Sequence, residues 1–279
     1  MVSAFSKTFL NGNPEAHMLK KRLIPKLQMK VSRFGSKTRM VLVTTIQFDE
    51  VIEIGDPVSQ AKIYEAQAAD ELIFLDLDAS SENRDTLIEV VKKSAEEIFM
   101  PFTVGGGVRS VEDFRILLSC GADKVSINTA AVETPDLINE ASEIFGNQCV
   151  VVSIDYRMNQ EGKYHVYKRS GNVETNYDPV LWARECEERG AGEILLTSID
   201  RDGTRTGLDL YMTRQVAQVI TVPLITSGGC GMASHFVEGF IEGNADAVSA
   251  GTYFSFKDEN PMQTRSRIMN AGVPIRLHT

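Results

Sequence analysis

A chain of 279 residues has room for one large α/β barrel of about 250 residues or for two smaller domains. Its net charge of −9 argues against a nucleic-acid-binding surface, and no apolar stretch approaches the roughly 18 residues that a membrane span needs. The four cysteines show no metal-binding spacing, and we expect them to be buried thiols of a cytoplasmic protein: Cys120, Cys149, Cys186 and Cys230.

From residue 20 onward, short β-rich runs alternate with amphipathic stretches. The predicted strands cover residues 22–28, 71–78, 102–105, 124–129, 150–156, 193–199, 224–227 and 247–253. The predicted helices include residues 84–97, 111–119, 135–145, 179–189, 210–219 and 233–242. Eight such units without a linker predict an α/β protein with one (β/α)8 barrel over residues 18–279, and residues 1–17 are expected to be a disordered extension.

The sequence repeats itself half-way along the barrel. Residues 101–107 are echoed by 223–229, residues 122–126 by 245–249, and residues 71–75 by 193–197. This pattern indicates a duplicated half-barrel and predicts two similar ligand sites on opposite sides of the top face. In the same register, Gln28 is the counterpart of Asp155.

Glycine-rich strand ends occur in both halves. Gly105–Gly107 follows the third predicted strand and Gly228–Gly229 the seventh, while Asn128–Thr129 and Gly251–Thr252 end the fourth and the eighth. Glycine lets backbone N–H groups approach an anion closely. The two sets predict a ligand with a phosphate at each end; the alternative is that these glycines only form tight turns.

Four charged residues open strands at the bottom of the barrel: Arg22, Glu71, Lys124 and Glu193. Two cations and two anions at similar depth could close a salt-bridge ring, either as a structural cluster or as a gate for a small molecule. Strand alternation directs small polar residues towards the axis above them, which would leave room for ammonia: Thr103, Ser126, Ser153 and Thr197.

Carboxylates gather at the opposite ends of the strands: Asp76, Asp78, Asp155, Asp200 and Asp202. Acids at this end are the usual acid–base candidates of such a barrel, although any one of them could instead cap a helix or a turn. Asp155 is the strongest candidate, because it follows a strand run, residues 150–154, that opens with three β-branched valines.

Residues 102–108, 121–132 and 190–204 closely resemble the cyclase subunit of imidazole glycerol phosphate synthase, and the resemblance runs from Met18 nearly to the C-terminus. It implies a barrel that forms a heterodimer with a glutaminase subunit on its bottom face. Ammonia would travel through the barrel to a doubly phosphorylated substrate, where lyase and cyclase steps give imidazole glycerol phosphate and an aminoimidazole carboxamide ribotide. We expect neither a cofactor nor a metal.

The resemblance also assigns roles to individual residues. Asp155 matches a catalytic general acid, and Asp123 matches a position at the glutaminase interface. The four strand-opening charges match the family's gate. The phosphate and substrate contacts comprise two sets, of which Gly107, Asn128 and Thr129 form one, and Asp202, Gly203, Gly229, Gly251 and Thr252 form the other.

The departures from the family lie at the start of the chain. Gln28 replaces the second catalytic aspartate, the general base, and an amide has no useful proton affinity near neutral pH. Lys26 replaces a small cysteine and is expected to point into the lumen. The loop at 32–53 looks longer than usual, and its substrate-covering lysine is lost, with Thr44 or Thr45 near its place.

Three functions are therefore weighed. The first is a diverged paralogue that relays ammonia, with a third protein amidating a sugar in surface-polysaccharide biosynthesis. The second is a genuine cyclase of histidine biosynthesis, in which Asp76 or Lys26 substitutes for the missing base. The third, the barrel isomerase of the same pathway, ranks last because it needs a carboxylate on the first strand and has no use for the gate.

Overall fold

Eight parallel strands form a barrel in the computed structural model, which describes residues 20–34, 37–78, 84–256 and 259–276. The predicted extension at 1–17 lies outside these residues. In chain order the elements are β1 (Arg22–Phe34), β2 (Lys37–Ile46), β3 (Glu50–Gly55), α1 (Pro57–Ala66), β4 (Leu72–Asp76), α2 (Arg84–Glu97), β5 (Phe102–Gly105), α3 (Val111–Ser119), β6 (Lys124–Ile127), α4 (Thr129–Glu133), α5 (Asp136–Phe145), β7 (Val150–Met158), β8 (Tyr164–Lys168), β9 (Val173–Glu174), α6 (Pro179–Glu188), β10 (Glu193–Ser198), α7 (Leu210–Ala217), β11 (Leu224–Ser227), α8 (Ala233–Ile241), β12 (Ala247–Ala250), α9 (Thr252–Phe256) and α10 (Pro261–Asn270).

The barrel strands follow the order β10, β11, β12, β1, β4, β5, β6 and β7, and β7 pairs with β10 to complete the circle. All eight pairings are parallel, so every carboxyl end opens on the same face, which we call the mouth, and every amino end on the opposite face, the floor. The predicted (β/α)8 barrel is confirmed.

Local signals in the sequence fix several helix starts. Asp56 and Asp178 accept hydrogen bonds from the first turns of α1 and α6, each of which begins with proline. Ser110 and Asp113 form a reciprocal capping box at the start of α3. Because the helices begin where the strands have just ended, these caps hold the connecting loops around the mouth. No helix in the described residues has the length and apolar character to cross a bilayer.

The apolar core has two layers. The larger one packs the outer faces of the strands against the helices and includes the fully buried Trp182 and Phe114. The smaller one fills the barrel just above the floor with side chains from six strands: Ile24, Ile73, Val151, Leu195, Ile225 and Ala247. Burying one such aliphatic side chain contributes about 1.5–3 kcal/mol, so the inner layer holds the strands to a common axis.

The four cysteines differ in exposure. Cys186 and Cys230 are buried, as expected, whereas Cys120 and Cys149 are partly exposed. The expectation was wrong for this second pair because both residues lie in short turns: Cys120 ends α3, and Cys149 ends a single turn of 3-10 helix before β7.

Each half-barrel carries an antiparallel extension of its first strand. β1 continues past the barrel to Phe34 and pairs with β2, which pairs in turn with β3; β7 continues to Met158 and pairs with β8 and β9 in the same manner. We call the β2–β3 unit the first hairpin and the β8–β9 unit the second hairpin. The interpretation of 32–53 as a loop is therefore wrong, because most of the described residues in this range satisfy their backbone hydrogen bonds by strand pairing.

Candidate functional site

A closed ring of ion pairs lies across the floor. The Arg22 guanidinium donates to Glu71 at 2.8 Å and to Glu193 at 2.6 Å, and the Lys124 ammonium donates to the same two carboxylates at 3.0 and 2.8 Å. Each carboxylate therefore bridges both cations. The four charges that the sequence places at strand starts do close a ring, although its role as a gate stays a prediction.

The ring compensates for the cost of burying its charges. Burial alone would raise the pKa of Glu71, but the neighbouring Arg22 and Lys124 outweigh that effect and hold it below its ordinary value. Burial would likewise lower the pKa of Lys124, yet Glu193 and Glu71 raise it. Glu71 and Lys124 are accordingly charged near neutral pH, and the contribution of Glu71 to stability is lost in acid as it takes up a proton.

A polar layer lies above the inner aliphatic layer. Strand alternation places Lys26, Ser126, Ser153 and Thr197 on the inner face at the depth between that aliphatic layer and the mouth. All four line the large cavity at the mouth. Thr103 lies lower, beside Lys124 in the sheet register. The small polar interior therefore begins above a packed aliphatic layer and not directly above the ring.

A cavity of about 790 Å³ occupies one side of the mouth. It brings together predicted site residues from three strand ends: Gly107 after β5, Asn128 and Thr129 after β6, and Asp155 on β7. The sequence did not indicate that the first hairpin contributes to the wall of this cavity, as it does through Phe48. We call this side the open corner.

Asp155 is a partly buried carboxylate on the wall of this cavity. Burial raises its pKa to about 6; Lys26 opposes that shift, Asp202 adds to it, and the hydrogen bonds from Ser153 and Asn128 oppose it. Asn128 Nδ2 donates to Asp155 Oδ2 at 2.7 Å. A carboxyl group that holds its proton up to about pH 6 is suited to act as a general acid.

Gln28 lines the same cavity, and only 4% of its surface is exposed. The Thr45 hydroxyl lies 3.2 Å from Gln28 Oε1 and 2.6 Å from Asp202 Oδ2, so the shorter contact takes most of its single proton. Gln28 can orient a ligand or support the hairpin, but it cannot take a proton from a substrate at neutral pH.

The opposite side of the mouth is filled by the chain itself, and we call it the closed corner. Its void of roughly 10 Å³ has room for one water molecule. The predicted residues of the second phosphate set do meet here and line that void: Asp202, Gly203, Gly229, Gly251 and Thr252. Lys26 Nζ lies 3.3 Å from Asp202 Oδ1, and both side chains are buried.

The first hairpin covers the closed corner. Thr44 and Thr252 share a hydroxyl hydrogen bond of 2.8 Å, the Gln47 amide donates to the Asp202 carbonyl at 2.8 Å, and Gln47 Nε2 donates to the Asp200 carbonyl at 2.9 Å. Both threonines at the place of the missing lysine are thus buried contacts of the hairpin with the barrel.

Other candidate acids have structural partners. Asp76 accepts from the Asp78 amide at 3.0 Å, Asp78 accepts from the Val31 amide at 3.1 Å, and Asp200 pairs with Arg157. On the floor, Asp123 accepts from the Phe102 amide at 2.9 Å, as Asp246 does from the Leu224 amide at 3.1 Å in the second half. These bonds fix strand ends and loops independently of any partner.

Comparison with known proteins agrees with this architecture. The histidine biosynthesis protein family matches residues 33–259. The chain belongs to this family. A relative from Prochlorococcus marinus (strain MIT 9313), provisionally named imidazole glycerol phosphate synthase subunit hisF2, is 52% identical over 260 residues, which are 93% of this chain and 99% of the relative. The chain is thus similar to a cyclase-type subunit, in agreement with the resemblance inferred from its motifs.

Proposed function

We propose that this protein is a diverged cyclase-type subunit that receives ammonia from a glutaminase partner and passes it to a different acceptor. The main support for this proposal is Gln28, a buried amide on the cavity wall at the position where the family resemblance requires a general base. Loss of a general acid or base commonly lowers a rate by about 10²–10⁴. We further propose a cytoplasmic protein whose ammonia serves the amidation of a sugar for surface polysaccharides by a third protein.

The floor supports a protein partner on that face. The four-residue ring spans it, and Phe99, in the turn that precedes β5, has 94% of its surface exposed. Aromatic side chains are enriched among the residues that anchor protein interfaces, so Phe99 is a candidate contact for such a partner. Three of the four residues of the polar layer have small side chains, Ser126, Ser153 and Thr197, and this supports passage of a molecule as small as ammonia through that layer. A glutaminase subunit docked here would deliver ammonia along the barrel axis.

The alternative is a genuine cyclase that makes imidazole glycerol phosphate and an aminoimidazole carboxamide ribotide. Asp155 with its raised pKa favours it, and Asp76 lines the same cavity. The candidate substitutes for the base are nevertheless engaged: Lys26 donates to Asp202, and Asp76 accepts from the Asp78 amide. The isomerase hypothesis remains the weakest, since no carboxylate occupies the end of the barrel portion of β1.

The test supplies ammonium salt and the family's bisphosphorylated ribulosyl substrate to the purified chain, which removes the need for a glutaminase. We expect no turnover by the wild type, together with stimulation of the cognate glutaminase. Gln28→Asp would restore turnover if the lost acid is decisive, and Asp155→Asn serves as the inactive control. Wild-type turnover at ordinary cyclase rates that Asp155→Asn abolishes would establish the cyclase instead.

The floor is tested separately through the glutaminase. Lys124→Met should break the ring and weaken the stimulation of glutaminase activity at least tenfold, because two buried carboxylates lose a shared cation. Lys168→Met, which removes a cation from the second hairpin at the mouth, is the matched control and should leave stimulation unchanged. Equal stimulation by both variants would contradict a role for the ring in coupling.

A further inference from the structure

The internal repeat makes the two corners of the mouth directly comparable. Gln28 corresponds to Asp155, so Lys26 corresponds to Ser153, two residues earlier on the equivalent strand. Both side chains point to the barrel axis. One half therefore places a small hydroxyl beneath its ligand loops, while the other places a long cation there.

The closed corner is filled by buried groups that satisfy one another. Lys26, with 5% of its surface exposed, contacts the Asp202 carboxylate, whose second oxygen accepts from Thr45 at 2.6 Å. The hairpin backbone rests directly on the following glycine, because a Cβ atom on Gly203 would lie 2.1 Å from the Thr45 carbonyl oxygen. A phosphate could enter only after the ion pair had broken and the hairpin had lifted.

The open corner has the room that the closed corner lacks. Its cavity of about 790 Å³ falls within the size range of small-molecule sites. Arg109 and Arg169 line it from two loops, next to the Thr129 hydroxyl and Gly107, and Arg169 also pairs with Glu133 at 2.9 Å. Guanidinium groups and hydroxyls are the common protein donors to phosphate.

We propose that the mouth binds a sugar carrying a single phosphate, held at the open corner, and that Lys26 and the first hairpin are the specificity-determining elements that exclude a second phosphate. This inference rests on the proposed function, because it concerns the ligand of the same mouth. It explains why the two half-sites can share their loop sequences and yet differ in capacity: the lysine and the hairpin take up the volume of the second anion.

The test compares two probes that differ by one phosphate. Ribulose 5-phosphate and ribulose 1,5-bisphosphate are titrated calorimetrically into the full chain in phosphate-free buffer. A mouth with two working corners should favour the bisphosphate at least tenfold, since each bound phosphate adds charge-assisted hydrogen bonds. We expect affinities within threefold of each other. A tenfold or greater preference for the bisphosphate would overturn the proposal.

Two variants locate the effect. Lys26→Ser combined with Asp202→Asn copies the small residue of the other half without leaving a buried carboxylate unpaired, and it should raise the preference for the bisphosphate at least tenfold. An unchanged ratio in a folded variant would overturn the role of Lys26. Thr129→Val should weaken binding of ribulose 5-phosphate at least fivefold, whereas Thr204→Val, beside the closed corner, should leave it unchanged. The reverse result would place the phosphate at the closed corner and overturn the proposal.

Failure of this inference and failure of the proposed function remain distinguishable. Binding of the two probes is measured without ammonia and without chemistry. A tenfold preference for the bisphosphate with no cyclase turnover would overturn only the single-phosphate ligand. Cyclase turnover by the wild type would overturn the ammonia-relay function, whatever the ratio of the two probe affinities.

Discussion

The open and closed corners are built from the same parts and reach opposite results. Each half-barrel sends out a hairpin, and each hairpin contacts the threonine that follows a symmetry-related strand: Thr44 contacts Thr252, and the Arg169 amide donates to the Thr129 hydroxyl at 2.9 Å. Between them, one corner keeps about 790 Å³ and the other roughly 10 Å³. Repeated backbones therefore do not guarantee repeated function, because a few side chains decide which volume stays available.

The two corners should differ most in how much their ion pairs contribute to the stability of the fold. Lys26→Met leaves the buried Asp202 carboxylate without its cation, which should cost about 3–5 kcal/mol of unfolding free energy. Arg169→Met removes an exposed partner of Glu133 at the open corner and should cost about 0–1 kcal/mol. Denaturant unfolding of both variants measures the contrast. Equal losses of unfolding free energy in the two variants would mean that the Lys26–Asp202 ion pair is exposed to water in solution.

The next difference concerns the contact of each hairpin with glycine. Gly203→Ala would drive a methyl group into the Thr45 carbonyl, in a backbone conformation with φ of +71° that disfavours side chains, and should cost more than about 2 kcal/mol. Gly171 has a similar φ of +78°, but its nearest contact is the movable Phe48 ring at 3.1 Å. Gly171→Ala is therefore expected to cost about 1 kcal/mol. Thermal unfolding compares the stabilities of the two variants. A larger loss in Gly171→Ala than in Gly203→Ala would contradict the close contact between the first hairpin and Gly203.

A smaller effect is expected from the hydroxyls that hold the hairpins. Thr45→Val deprives buried Asp202 and Gln28 of a shared donor and should cost about 1–2 kcal/mol, with faster hydrogen exchange of the amides in β2 and β3. Thr129→Val frees only the amide of exposed Arg169, which water can satisfy, and should cost about 0.5 kcal/mol or less. Unchanged hydrogen exchange in Thr45→Val would show that the hydrogen bonds of Gln47 are sufficient to hold the first hairpin on the barrel.

The last contrast is a gain in stability at the open corner that depends on pH. The pKa of Asp155 is raised from 3.8 to about 6, so the folded chain binds this proton more tightly and loses stability as the pH rises from about 4 to above 6. Because the side chain is partly exposed, Asp155→Asn should recover only about 1–2 kcal/mol at pH 8, and nothing below pH 4. Asp49→Asn, an exposed control, should change stability at neither pH. A pH-independent gain would show that the carboxylate is not desolvated.

Much of the molecule follows from short-range patterns in the sequence. β-Rich runs such as residues 150–154 and the amphipathic segments between them predicted the eight barrel strands and most of the helices. Burial on one or both faces of an element imposes a spacing of apolar residues that can be read directly from the sequence. The charged strand starts predicted the floor ring, since unpaired charges are rarely tolerated at that depth. The repeat predicted that Gln28 and Asp155 would hold equivalent places.

The size and charge of the ligand that the mouth can accept depend on contacts between distant parts of the chain. The extension of β1 to Phe34 and the strands of the first hairpin escaped sequence analysis, because antiparallel pairing depends on contacts between distant residues and not on local periodicity. The sequence identified Lys26 as unusual, but its effect depends on where Asp202 and Thr45 meet it. The volume of the closed corner depends on how β1, the first hairpin and the loop after β10 pack together, so it cannot be read from any single stretch of the chain.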